Sequence, residues 1–248
     1  MFQKKYSVEQ HNRGQREYYE SREKNENWRM RPAATASPYI QNHIEKIIAF
    51  GNLTTDEKLL DIGCGMGKYT IPIAQKGFNI DALDLSPVLL KELQSHCGDS
   101  IHINTHCIDI LNPPASFTHH YDAIIGSFML HHLIDIGEAF HHLNPLLNKN
   151  GKVVFIDVNP FCPLYYLQIT LSPSMRWKAE KGIFQLSPSN IKSQLEKSGF
   201  KNITLKKFGI APPLIRNLKI GKHIDDIFEK LTFLNSIAAF QLIYAEKI

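Results

Sequence analysis

Apolar positions along this chain change their period repeatedly. From Pro38 onward Ile40, Ile44, Ile47 and Ile48 recur at i, i+4, i+7 and i+8 behind Ser37, and Gly51 closes the pattern. That spacing predicts an amphipathic helix with a serine cap. Short apolar runs then take over: "KLLDIG" reads as a strand, "KYTIPIAQKG" as a helix ended by Gly77, and "NIDALDL" as a second strand. "SPVLLKELQSHC" reads as a helix capped by Ser86 with Pro87 at its first position. "IHINTHCIDI" and "YDAIIGSFML" follow as strands, "IGEAFHHLNPLLNKNG" as a helix stopped by Gly151, and "KVVFIDV" as a fifth strand. "SPSNIKSQLEKSG" is expected to be a capped helix, with "KNITLKKFG" and "SIAAFQLIYAEK" as the last two strands. Strands separated by helical segments predict right-handed βαβ units. The expected fold class is α/β: a doubly wound, mostly parallel seven-stranded sheet with helices on both faces.

Three segments interrupt that rhythm. Residues 1–37, including "REYYESREKNENWRMRP", carry too few aliphatics at helical spacing to form a core of their own. They are expected to be an N-terminal extension or lid, with Tyr18, Tyr19 or Trp28 over the ligand crevice, on a main domain spanning 38–248. Insertions are expected at 158–186, rich in aromatics and proline, and at 209–235, longer than a hairpin needs. The chain has 248 residues, 43% of them hydrophobic, which suits one large domain with additions. Its net charge of +4 is modest and mixed with acids, so no nucleic-acid partner is expected. The four cysteines form no C-x-x-C pair, and the histidine pairs fall on different expected elements, so no metal centre is expected. Without an N-terminal apolar core segment or a run near ~18 apolar residues, a cytoplasmic location is expected.

The stretch "LLDIGCGMGKYT" places Asp61, Gly63, Gly65 and Gly67 where a strand gives way to a helix. Such a turn lets a ligand reach backbone N–H groups. A dinucleotide fingerprint would need a glycine where Lys68 or Thr70 stands, and a phosphate loop would need serine or threonine where Tyr69 follows Lys68. The stretch instead resembles the D-x-G-x-G-x-G motif of the class I S-adenosylmethionine-dependent methyltransferases. The resemblance extends to Asp84 at the end of "IDALD", Asp109 in "HCIDIL", "YDAIIGSFMLHHL" and "LNPLLNKNGKVVFID". It implies S-adenosylmethionine as cofactor, Asp84 on the ribose hydroxyls with Leu85 beside it, and Asp109 near the adenine amino group with Ile110 beside it. Asp61 would accept from the cofactor's ammonium, Cys64 would offer its backbone, and Ser127 and Phe128 would face the crevice at the strand ends.

Methyl transfer from sulfur is an in-line displacement in which positioning supplies much of the acceleration. A base is needed only when the acceptor must lose a proton. His131 and His132 follow the fourth strand, and either could serve, with His131 slightly preferred. Tyr165, Tyr166 and Trp177 are candidates for the acceptor pocket. From Lys201 to His223 there are six basic residues, Arg216 among them, and no acid, interleaved with apolar residues. That combination suits peripheral contact with a membrane surface or an acceptor with an anionic head and an apolar tail. A small-molecule or lipid-like acceptor is expected, with oxygen slightly favoured over carbon or nitrogen. Two alternatives stay open: a cofactor-binding protein without turnover, and an NAD-dependent oxidoreductase that shares the glycine turn.

Overall fold

The computed structural model describes residues 2–23, 37–98, 101–118, 120–171, 177, 180–209 and 232–248. Trp28, Arg216 and most of the second expected insertion lie outside the described residues. Seven strands, β1 (Lys58–Ile62), β2 (Asn79–Asp84), β3 (Thr105–Cys107), β4 (Tyr121–Ser127), β5 (Leu147–Val158), β6 (Phe200–Phe208) and β7 (Phe240–Lys247), form one sheet. Their order is β3-β2-β1-β4-β5-β7-β6. Pairs within β1 to β5 are parallel, and β7 runs antiparallel between β5 and β6. The mostly parallel sheet expected from the alternation is therefore present, with an antiparallel strand inserted near one edge.

The strands read as near-continuous apolar runs because helices cover both faces. Leu59 and Ile125 pack with Ile40, Ile44 and Ile47 of α2 (Pro38–Gly51) on one side. Their neighbours Leu60 and Ile124 point the opposite way, against Phe140 and Leu143 of α5 (Ile136–Leu143) and Ile191 and Leu195 of α7 (Pro188–Lys197). The remaining helices are α1 (Phe2–Glu23), α3 (Thr70–Gln75), α4 (Pro87–Cys97) and α6 (Pro163–Leu171).

The serine caps of α2 and α4 form as expected, Ile40 N donating to Ser37 Oγ at 3.4 Å and Leu89 N to Ser86 Oγ at 3.3 Å. Four local expectations need correction. The helix expected to run to Gly151 ends at Leu143, because Pro145 cannot donate a backbone hydrogen bond, and the chain passes through a 3-10 turn into β5. Gly151 lies inside β5, just past Asn150 in the left-handed region, where the pairing with β4 shifts register between Tyr121 and Ala123. Only Thr105–Cys107 of "IHINTHCIDI" is strand. Ser187 precedes α7 without a side-chain cap, and Pro188 starts that helix through its own fixed φ.

Candidate active site

The carboxyl ends of β1, β2, β3 and β4 lie along one side of the sheet, where a parallel sheet opens a ligand crevice. Gly63, Gly65 and Gly67 all adopt positive φ there. A Cβ on Gly63 would come within 2.6 Å of Met129 Cβ, whereas one on Gly65 would meet nothing within 4 Å. The turn is thus packed from below and open above. Asp84 holds it in place: one carboxylate oxygen accepts from Gly65 N at 2.8 Å and the other from Ser86 N at 2.9 Å. The open face of the turn and the lone pairs remaining on Asp84 fit a hydroxylated ligand.

Asp61 is almost fully buried at the end of β1, where Thr70 Oγ1 donates to its Oδ2 at 2.6 Å. Its Oδ1 is buried with no hydrogen-bond partner. An orphaned carboxylate oxygen is costly unless a donor arrives. Burial pushes the Asp61 pKa up to about 7 against the Thr70 hydrogen bond, with the nearby Asp84 charge adding to the rise. The cofactor's ammonium is a donor of the right kind, so the residues present fit the methyl donor that the motif implies. Burial, then the charges of Asp84 and Asp61, hold the Cys64 thiol well above its ordinary pKa, so it stays protonated and contributes packing and backbone only.

Asp109 accepts from Leu111 N at 2.9 Å and from Asn12 Nδ2, on α1, at 2.6 Å. Ile110 beside it is buried, and Leu85 follows the end of β2 with its carbonyl receiving the Cys107 thiol at 3.8 Å. Helix α1 lies along the crevice: Ser86 Oγ donates to Glu20 at 2.7 Å, and His11 Nε2 reaches the His132 carbonyl at 2.7 Å. At the end of β4, Ser127 Oγ is buried without a hydrogen-bond partner, and Phe128 adopts φ +57 among the rings of His43, Tyr69 and Phe240. A bulky residue in the left-handed region marks local strain of the kind held at functional sites.

Beyond β4 lies a second, charged cluster. His131 is buried, its Nδ1 2.5 Å from Asp157 Oδ1 and its Nε2 3.3 Å from Glu180 Oε2. Burial opposes the charged ring, but the two carboxylates outweigh it and lift the His131 pKa to about 10. Tyr165 OH donates to Glu180 at 2.7 Å, and Tyr19 OH of α1 lies 2.5 Å from His132 Nε2. Tyr166 OH donates instead to the Pro160 carbonyl, while its ring stacks with Trp177 and Phe184 at 6.0 and 6.4 Å between centroids. The structure thus brings Asp61, the glycines, Asp84, Asp109, Ser127 and Phe128 to one crevice. His131, His132 and Tyr165 form the cluster at its side, and Tyr166 and Trp177 belong to a separate stack. Sequence reasoning assigned no role to Asp157 or Glu180, which stand 26 and 49 positions from His131 and carry no spacing signal.

A family model described as a methyltransferase domain matches residues 39–205. Ubiquinone biosynthesis O-methyltransferase of Chromobacterium violaceum is 26% identical over 161 residues, covering 63% of this chain and 69% of that protein. Malonyl-[acyl-carrier protein] O-methyltransferase 1 of Ilyobacter polytropus is 32% identical over 101 residues, which span 39% of this chain and only 36% of that protein. Among solved structures, an S-adenosylmethionine-dependent methyltransferase from Archaeoglobus fulgidus aligns with TM-score 0.61 at 17% identity, covering 84% of this chain and 94% of that one. Magnesium protoporphyrin IX methyltransferase from Synechocystis with bound S-adenosylhomocysteine aligns with TM-score 0.60 at 18% identity, covering 94% and 98%. At these identities the structural likenesses speak for the fold.

Proposed function

The chain belongs to the methyltransferase-domain family, whose methyl donor is S-adenosylmethionine, and on that premise we propose that it methylates a hydroxyl oxygen on an apolar or lipid-like acceptor. Bound, the donor supplies an electrophilic methyl on a positively charged sulfur. Asp61 would hold its ammonium through the orphaned Oδ1, the Gly63–Gly67 turn would lie against its methionine part, and Asp84 and Asp109 would take the ribose and adenine ends.

The cluster of His131, His132, Glu180 and Tyr165 carries the oxygen reading. A hydroxyl acceptor must lose a proton, and these are the acid–base groups at the acceptor end of β4. His131 has carboxylates at both ring nitrogens, which leaves the proton-handling role to the half-buried His132 rather than to His131. The names of the relatives point the same way, both being oxygen methyltransferases. Leu164, Leu167 and Leu171 of α6 and Phe184 are more than half exposed on the insertion that carries Glu180, an apolar surface suited to an acceptor with a hydrocarbon tail or to a membrane face.

Helix α1 acts as a lid in this reading. Its Asn12 amide donates to Asp109 on the side where the adenine amino group would bind, so donor entry would have to share or displace that contact. Incubating the protein with methyl-labelled S-adenosylmethionine and paired phenol and aniline acceptors, with and without a prenyl tail, tests the oxygen assignment. Label on the tailed phenol is expected; label confined to the amine overturns it. Sedimentation with anionic vesicles at low salt tests membrane contact, and absence from the pellet removes it.

A further inference from the structure

We propose that His131, His132 and Glu180 form a site for one divalent transition-metal ion at the acceptor end of the crevice. Each of the three offers a ligand atom, and these atoms lie within 4.8 Å of one another. His131 Nε2 and Glu180 Oε2 are 3.3 Å apart. Two such ligands on one zinc-sized ion, each bonded at about 2.1 Å, stand about 3.0–3.4 Å apart. That pair already has the separation an ion requires, and a ring nitrogen of His132 lies within 4.8 Å of both.

The donor set is chemically specific. Two imidazoles and one carboxylate favour zinc or iron(II) over magnesium or calcium, and they leave coordination positions open for other ligands. The surroundings have the form of a metal ligand's outer shell. Asp157, with no exposed surface, holds His131 by Nδ1 and turns Nε2 toward Glu180. Its own orientation is set by Leu130 N at 2.8 Å and Val158 N at 2.7 Å. Tyr165 orients Glu180, and Tyr19 contacts His132. Ligation through Nε2 displaces the proton that His131 shares with Glu180, and the two buried carboxylates, Asp157 and Glu180, then offset the charge of the ion.

Packing also brings the ligands together from distant segments. A Cβ on Gly182 would fall 2.2 Å from the His131 carbonyl oxygen, so this glycine lets the insertion close against the turn that bears both histidines. Gln185 seals the same contact, its Nε2 donating to the Leu133 carbonyl at 3.1 Å and its Oε1 accepting from Ile136 N at 3.3 Å. The consequence for chemistry rests on the oxygen-acceptor reading above; the binding site does not. With the ion bound, His132 is a ligand rather than the proton acceptor, and a hydroxyl coordinated to the ion would release its proton to solvent more readily. Its oxygen would then form the new C–O bond as the donor's C–S bond breaks and the electron pair leaves with sulfur.

The test uses the full chain, stripped with a chelator and titrated with Co²⁺ and then Zn²⁺. One Co²⁺ per chain is expected, with visible absorption, no thiolate charge-transfer band, and displacement by Zn²⁺. His132→Gln and Glu180→Gln should each weaken Zn²⁺ binding at least tenfold in calorimetry, while retained S-adenosylhomocysteine affinity reports that the fold persists. No binding, unchanged binding in both variants, or a thiolate band would overturn the site. A metal-binding chain that methylates only amines would sink the oxygen reading and leave the site standing; oxygen methylation with no metal bound would sink the site alone.

Discussion

Titrating Asp61 tests the donor pocket directly. Its carboxyl is buried, touches one hydroxyl donor and has its pKa pushed up to about 7, so below neutrality it is mostly protonated and cannot pair with an ammonium. Donor binding must then displace that proton. Affinity should rise with pH and level off above about 7, falling about tenfold per unit below it. Between pH 7.5 and pH 5 the loss is on the order of 100-fold, or about 2.7 kcal/mol at 1.36 kcal/mol per unit. The sign for folding is opposite. A carboxyl whose folded pKa lies above its unfolded value stabilises the empty protein at low pH, and that contribution is lost as pH rises from about 4 to about 7. Donor binding should therefore raise the melting temperature more at pH 7.5 than at pH 5. Calorimetry with S-adenosylhomocysteine at half-unit steps measures the first effect, and Asp61→Asn isolates it, since the variant should bind weakly with little dependence on pH. A wild-type affinity constant within threefold across pH 5.0–7.5 would refute the pairing.

Replacing Asp84 by alanine should weaken S-adenosylhomocysteine binding by tenfold or more, from about 1.5–3 kcal/mol for charge-assisted hydrogen bonds, and calorimetry on the folded variant would expose the error if affinity held. Gly182→Ala should destabilise the chain by about 1–3 kcal/mol through overpacking against the His131 carbonyl, measured by urea unfolding; an unchanged midpoint would show that the contact yields freely. Deleting residues 1–23 should speed S-adenosylhomocysteine exchange in stopped flow, and a slower or equal rate would count against the lid.

The family, the fold and the turn proposed for the donor were legible because their signals are local. Strand and helix periods, the glycine turn after β1 and the acids closing β2 and β3 follow one another within about fifty residues, and the family match replaces the oxidoreductase alternative with a methyltransferase. Other features were not legible for physical reasons. Helix α1 is polar along most of its length, with surface pairs such as Arg13 and Glu17 at 2.8 Å, so apolar periodicity could not reveal it. Gly151 looked like a helix stop because a glycine at a strand irregularity and one after a helix are the same letter. The His131 cluster depends on Asp157 at the end of β5 and on Glu180 in the insertion, and only tertiary folding brings the two together.

The order of the strands carries a consequence for divergence. Asp61, Asp84 and Asp109, the carboxylates proposed to hold the donor, lie within residues 61–109, whereas the apolar face of α6, Tyr165 and Glu180 enter after β5. On the proposed assignment, exchanging residues 159–186 for another segment would change the substrate and leave Asp61, Asp84 and Asp109 in place. The point such an exchange must conserve is the junction where a residue without a side chain meets the His131 carbonyl, since a foreign segment that cannot approach that closely has nowhere to dock.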